Sequence, residues 1–217
     1  MTVFITHNRV KLALHTLRAS DGPALLLLHA LGDQSPETVP ADVAAWPGPV
    51  YALDFTGHGA STIPNGGGYT AEVLMGDADM ALSMTGPATV LGRGLGAYIA
   101  VMIAGGRPNL VRGAILCDGA GIGGGGDKPG ALVVRGVPGR ATSPDPFALV
   151  ELSSDLRPPE YVARFAELAA AHSGLETPIA VCGRSRPDWL KAVLATMGAR
   201  EMDLAAALPM FAAPNLA

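Results

Sequence analysis

Five short apolar runs recur along the chain without polar interruption: "PALLLLHA" (23–30), "GPVYALDF" (48–55), "ATVLG" (88–92), "RGAILCD" (112–118) and "TPIAVCG" (177–183). A strand with one wet face alternates polar and apolar residues, whereas a strand covered on both faces reads as a continuous apolar run. Helix-like segments at about 70–85, 95–106, 158–172 and 186–197 separate the later runs. Strands alternating with helices predict a mostly parallel sheet with helices on both faces, joined by right-handed crossovers. Residues 2–18 do alternate, and they predict a strand pair turning at His7 and Asn8.

The helix over 158–172 places Tyr161, Phe165 and Leu168 on one face, between Pro158–Pro159 and Gly174 as start and stop signals. The helix over 186–197 is expected to use Ser185 as its N-cap, Pro187 in its first turn and Gly198 just past its end. Residues 119–157 break the alternation. They begin Gly-rich and stay punctuated and polar, which predicts a lid-like insertion opened by a flexible hinge. The tail "REMDLAAALPMFAAPNLA" leaves little room for a full eighth strand and helix, so a truncated C-terminus with an open sheet edge is expected, and with it a motive for homodimerisation.

At 217 residues and 49% hydrophobic content, one domain spanning 1–217 can bury a substantial core. The net charge is −4 and no Lys/Arg block occurs, so the chain lacks the basic stripe that nucleic acid requires. The longest apolar run is far shorter than the roughly 20 residues that span a bilayer, and no signal-peptide pattern opens the chain. A cytoplasmic protein without membrane contact is the expectation. Cys117 and Cys182 sit in apolar runs, outside any C-x-x-C or Cys/His spacing, and read as reduced core residues. No metal site and no cofactor is expected from them.

Open parallel sheets bind ligands beyond the C-terminal ends of their strands, and three of those ends carry patterns. "HALGDQ" (29–34) follows one apolar run, "DFTGHGAS" (54–61) the next, and "GRGLGA" (92–97) the one after. In this order and at these separations the chain resembles the α/β-hydrolase fold family. The first stretch is similar to its His-Gly-x-Gly oxyanion loop, with Ala30 in place of the first Gly. The second matches its Asp-x-x-Gly-x-Gly-x-Ser turn, and the third its Gly-x-nucleophile-x-Gly elbow. The resemblance covers about residues 10–190 and implies a three-layer α/β-hydrolase-like fold.

What the resemblance implies for chemistry is loss. Gly94 stands where the family has its nucleophile, and glycine has no atom with which to attack a carbonyl. Arg186 occupies the usual place of the acid, with Asp188 two residues on, while Asp118 falls at the alternative acid position after the preceding strand. The final histidine is His172, so none follows the last apolar run to act as base. The oxyanion donors of the family map to the backbone N–H groups of Leu31 and Leu95. Arg93 and Arg186 would flank the pocket mouth, and with His29 they are candidate contacts for a small apolar or acidic ligand.

The leading expectation is therefore a pseudo-hydrolase that binds a small molecule or serves as a scaffold. A second reading is an atypical hydrolase whose water is activated by His29, His58 or Asp118. A third is a dinucleotide site at Gly92, Gly94 and Ala97 with Asp118 as the ribose acid, although that fingerprint normally occupies the first strand–helix unit and here at least three strands precede it. His29 and His58 are expected to be structural, and His7, His15 and His172 to lie on the surface.

Overall fold

The computed structural model describes residues 1–7, 9–126 and 143–213. Strands β1 (Thr2–His7), β2 (Val10–Arg18), β3 (Ala24–Leu28), β4 (Val50–Leu53), β5 (Ala88–Arg93), β6 (Val111–Cys117), β7 (Ile179–Val181) and β8 (Ala199–Glu201) form one sheet. Its order is β1-β2-β4-β3-β5-β6-β7-β8. Only the β1–β2 hairpin and the β2–β4 pair are antiparallel. Every residue of β3 is buried, as its uninterrupted apolar run requires.

The helices are α1 (Ala71–Thr85), α2 (Leu95–Gly106), α3 (Pro146–Ser154), α4 (Pro159–His172), α5 (Asp188–Leu194) and α6 (Leu204–Ala212), with a 3-10 turn η1 at Ala41–Val43. Successive residues of each strand feed opposite cores. Leu26, Leu28, Val90, Leu116 and Val181 pack with α1, α2, α4 and α5. Leu25, Leu27, Leu91, Ile115 and Ala180 pack with Val43 of η1, Trp46 and residues of α6. Both faces are covered, but unequally: β3 crosses to β4 through η1 rather than through a full helix.

Two sequence expectations change. The tail holds both an eighth strand and a final helix, with Ala207, Leu208 and Phe211 buried in the second core. A three-residue strand is too short to show periodicity, and Pro209 inside α6 argues against a helix locally. The sheet edge is carried by β8, whose Arg200 and Glu201 pair with Glu176 and Arg186. Ser185 does not cap α5; that position is Pro187, without a side-chain bond, while the Ser185 amide donates to Asp118 at 2.9 Å.

Eleven of the twelve residues of α2 are buried, the pattern of a helix apolar all round. It meets α4 at Gly105, where an added Cβ would lie 2.3 Å from the Phe165 carbonyl oxygen. Helix propensity alone makes Gly105→Ala stabilising by about 1 kcal/mol. The backbone approach predicts the opposite sign, a loss of about 1–3 kcal/mol in urea denaturation.

Candidate functional site

The "DFTGHGAS" turn is organised by Asp54, whose buried carboxylate accepts from the amides of Ser35 at 2.7 Å and Ala60 at 2.8 Å and from His15 Nε2 at 2.9 Å. Burial opposes ionisation, but the amide bonds and His15 outweigh it and hold the carboxyl below its usual range. Gly59 lies at φ 52 with its Cα against this carboxylate, leaving no room for a side chain. Ser61 donates to the Asp54 carbonyl at 2.6 Å and accepts from Ala13 at 2.9 Å, tying the turn to β2. His15 is therefore a half-buried partner of Asp54 rather than a free surface residue. His7 likewise bonds buried Asp77 at 2.9 Å. His172 is exposed, as expected.

His29 is buried and both ring nitrogens are engaged. Nδ1 donates to the Ala30 carbonyl at 2.8 Å, and Nε2 accepts the Phe55 N–H at 3.1 Å. His58, fully buried, donates from Nδ1 to Thr56 at 3.1 Å and accepts the Gly32 N–H at Nε2, 3.4 Å away. Burial, together with the neighbouring His58, lowers the His29 pKa to about 4; burial also lowers that of His58. Both rings are thus neutral loop anchors with no lone pair left for a water. Asp118 is exposed and accepts the Arg184 and Ser185 amides at 2.6 and 2.9 Å; desolvation opposes its ionisation, but these amides, the Ser185 side chain and the charge of Arg186 together outweigh it and hold the carboxyl below its usual range. Such a carboxylate is a weak base.

The expected elbow is a strand–turn–helix centred on Gly94. Its φ of 55° and ψ of −116° place it between β5 and α2, with its N–H on the Cys117 carbonyl at 3.0 Å. The two expected oxyanion donors also converge, but on the chain itself: the N–H groups of Leu31 and Leu95 both donate to the Ala120 carbonyl, at 3.1 and 3.0 Å. A Cβ at residue 94 would lie 2.1 Å from that oxygen and 2.5 Å from the Gly119 carbonyl carbon. The expected ligand contacts through Leu31 and Leu95 are therefore replaced by an internal one. The same backbone covers the first turn of α2, where the dinucleotide reading would place a pyrophosphate.

The covering segment is held from behind. Arg157, between α3 and α4, is 1% exposed and donates from Nη1 to the carbonyls of Gly121 and, at 2.9 Å, Ile122. Its guanidinium lies 4.8 Å from the centre of the Tyr98 ring. Trp189 Nε1 adds a 2.7 Å bond to the Ile122 carbonyl. Burial lowers the Arg157 pKa to about 10, so it stays charged at neutral pH. Nothing in the sequence marked Arg157, because its role depends on where 121–122 fold.

Of the 119–157 insertion, residues 127–142 lie outside the described residues, while the Gly-rich run at 123–126, expected as a hinge, is bonded through the Gly125 N–H to the Asp155 carbonyl at 2.8 Å and through the Gly126 carbonyl to the Arg157 N–H at 2.6 Å. The remainder is docked. Asp145 caps α3 at the Phe147 amide and accepts the Tyr69 hydroxyl at 2.5 Å, and Glu151 accepts the Gly68 and Tyr69 amides, each at 2.7 Å. Arg186 is spent on Glu201 at 2.8 Å and on the Gly183 and Ser185 carbonyls at 2.7 and 2.9 Å, so the expected anion contact there gives way to an internal clamp. Arg93 pairs with Asp42 and lines a cavity of about 180 Å³ with His29, Leu27, Pro40, Val43 and Leu91. The cavity sits under η1, where three residues stand in place of a helix. Among the described residues no helix is long and apolar enough to cross a membrane.

No protein-family model and no curated protein matches the chain. Solved structures do. A thioesterase domain from the curacin biosynthetic pathway is similar over 97% of this chain and 98% of its own, with a TM-score of 0.71 at 15% identity. An N-formylmaleamic acid deformylase from Pseudomonas putida matches over 94% and 92%, with a TM-score of 0.66 at 12% identity. A hydrolase from Pseudomonas aeruginosa matches over 93% and 89%, with a TM-score of 0.61 at 20% identity. The fold expected from the three strand-end motifs is the fold observed.

Two measurements check this geometry. Gly94→Ser places a side chain at positive φ and against Ala120, and is expected to cost about 2–4 kcal/mol in denaturant unfolding; an open elbow would make it nearly neutral. For His29 the folded pKa lies below the unfolded value of 6.5, so the unfolded chain binds the extra proton and stability falls as pH drops from 6.5 towards about 4. The expected loss is about 3 kcal/mol, seen in melts across that window, with a shallower slope in His29→Gln.

Proposed function

We propose that this α/β-hydrolase-fold chain is a pseudo-hydrolase, a small-molecule-binding protein rather than a turnover enzyme. The observation that carries the reading is the Ala120 carbonyl on the Leu31 and Leu95 amides, opposite a glycine. Tetrahedral intermediates are stabilised by donors aimed at the developing oxyanion. Here those donors already hold a carbonyl, and among the described residues no nucleophile or histidine base stands beside it. The atypical-hydrolase reading loses its bases to the hydrogen bonds of His29 and His58.

The ligand class that fits is a small apolar carboxylate. The cavity under η1 offers Leu27, Val43 and Leu91 to an aliphatic tail, and Arg93 to a carboxylate that would compete with Asp42. The volume of about 180 Å³ limits the ligand to a few heavy atoms.

The test has two arms. Against a panel of p-nitrophenyl esters and a fluorophosphonate probe, the parent and Gly94→Ser should both show no turnover and no label; turnover lost on Asp118→Asn would replace this reading with a hydrolase. In thermal-shift titrations, butyrate to hexanoate should raise the melting temperature of the parent, and Arg93→Gln should weaken that binding about tenfold, the cost of about 1.4 kcal/mol expected for one charge-assisted contact.

A further inference from the structure

Cys117 and Cys182 are separated by 64 intervening residues, and the fold brings them to one place. Leu116 and Val181 are register partners in the parallel β6–β7 pair, so the two cysteines follow at the next step, with the Cys182 N–H on the Leu116 carbonyl at 2.8 Å. Adjacent strands run about 4.8 Å apart, within the Cα separation that a disulfide spans. Both side chains belong to the same face of the sheet, against the second core. Both are free thiols; Cys117 is buried and Cys182 partly exposed. Arg93 is the register partner of Cys117 on β5, so a guanidinium, a thiol and a second thiol lie in a row across three strand ends.

We propose that Cys117 and Cys182 are a redox-active dithiol that closes to an intramolecular disulfide when the protein meets hydrogen peroxide. The hydrogen bond from the Cys182 thiol lowers the Cys117 pKa against the opposing effect of burial, and Arg93 adds to the lowering while Asp42 and Asp118 oppose it. The same hydrogen bond raises Cys182, with burial and Asp203 adding to it. Arg93, the register partner of Cys117, sets a guanidinium on that side of the pair, which favours Cys117 as the thiolate and leaves Cys182 as the resolving thiol. The Cys117 thiolate attacks one peroxide oxygen and the O–O bond breaks, giving a sulfenic acid and hydroxide, which takes up a proton as water. The Cys182 sulfur then attacks the sulfenic sulfur, the S–O bond breaks, and the Cys182 proton leaves with that oxygen as a second water. Two thiols are oxidised and one peroxide is reduced to two waters.

The test is intact-mass analysis of the native chain after graded hydrogen peroxide, followed by unfolding and iodoacetamide blocking. The expected parent is about 2 Da lighter than the reduced chain and takes up no iodoacetamide, and a dithiol reductant reverses both changes. Cys182→Ser should stop at a Cys117 sulfenic acid that dimedone traps, and Cys117→Ser should oxidise about tenfold more slowly at its remaining thiol. Two blocked cysteines in the parent after treatment, disulfide-linked dimers in place of the internal bridge, or a Cys117 sulfinic acid formed with Cys182 still reduced would each overturn the proposal.

Discussion

The Ala120 carbonyl, shared between the amides of Leu31 and Leu95, is the contact on which the site depends. It joins three strand ends, because Leu31 follows β3, Leu95 follows β5 and Ala120 follows β6. Buried amides need acceptors, and leaving two such donors empty would cost about 1–3 kcal/mol each. This chain satisfies them internally, and the absent side chain at Gly94 is what makes the approach of residues 119–120 sterically possible. The bare Cα of Gly94 and the Ala120 carbonyl on the two amides are thus one structural fact.

Around that contact, polar groups are held by backbone rather than by one another. His29 and His58 are each bonded on both ring nitrogens, and Asp54 takes two amides and one imidazole. Arg157 is buried against carbonyls and the Tyr98 ring. A buried guanidinium is costly unless its donors are used, and here its bonds hold the 121–122 carbonyls in place. Polar networks of this kind order the loops at the strand ends.

The unequal coverage of the sheet has its own consequence. Five helices contribute to the core on one face, while η1 and α6 cover the other. A three-residue turn between β3 and β4 cannot fill the volume of a helix, and the cavity beside Arg93 is the space left over. The same thin face holds Cys117 and Cys182. The cavity and the two thiols therefore lie on the side of the sheet away from α2, rather than at the Gly94 turn.

Much of this was legible in the residues. Continuous apolar runs located β3 through β7, helical spacing located α1, α2, α4 and α5, and three strand-end motifs named the fold, because burial on both faces and tight turns each restrict which residue types can stand there. That residue 94 is a glycine with no side chain is a property of one position and needs no coordinates. Sequence did not disclose β8 and α6, whose few residues and Pro209 carry little local signal. Nor did it disclose that Arg186 is held by Glu201, that the Ala120 carbonyl accepts from Leu31 and Leu95, or that two cysteines meet. Those are contacts between segments distant in the chain. Local pattern records how a segment is buried, whereas only the packed sheet decides which segments share an edge, and with it which donor finds which acceptor.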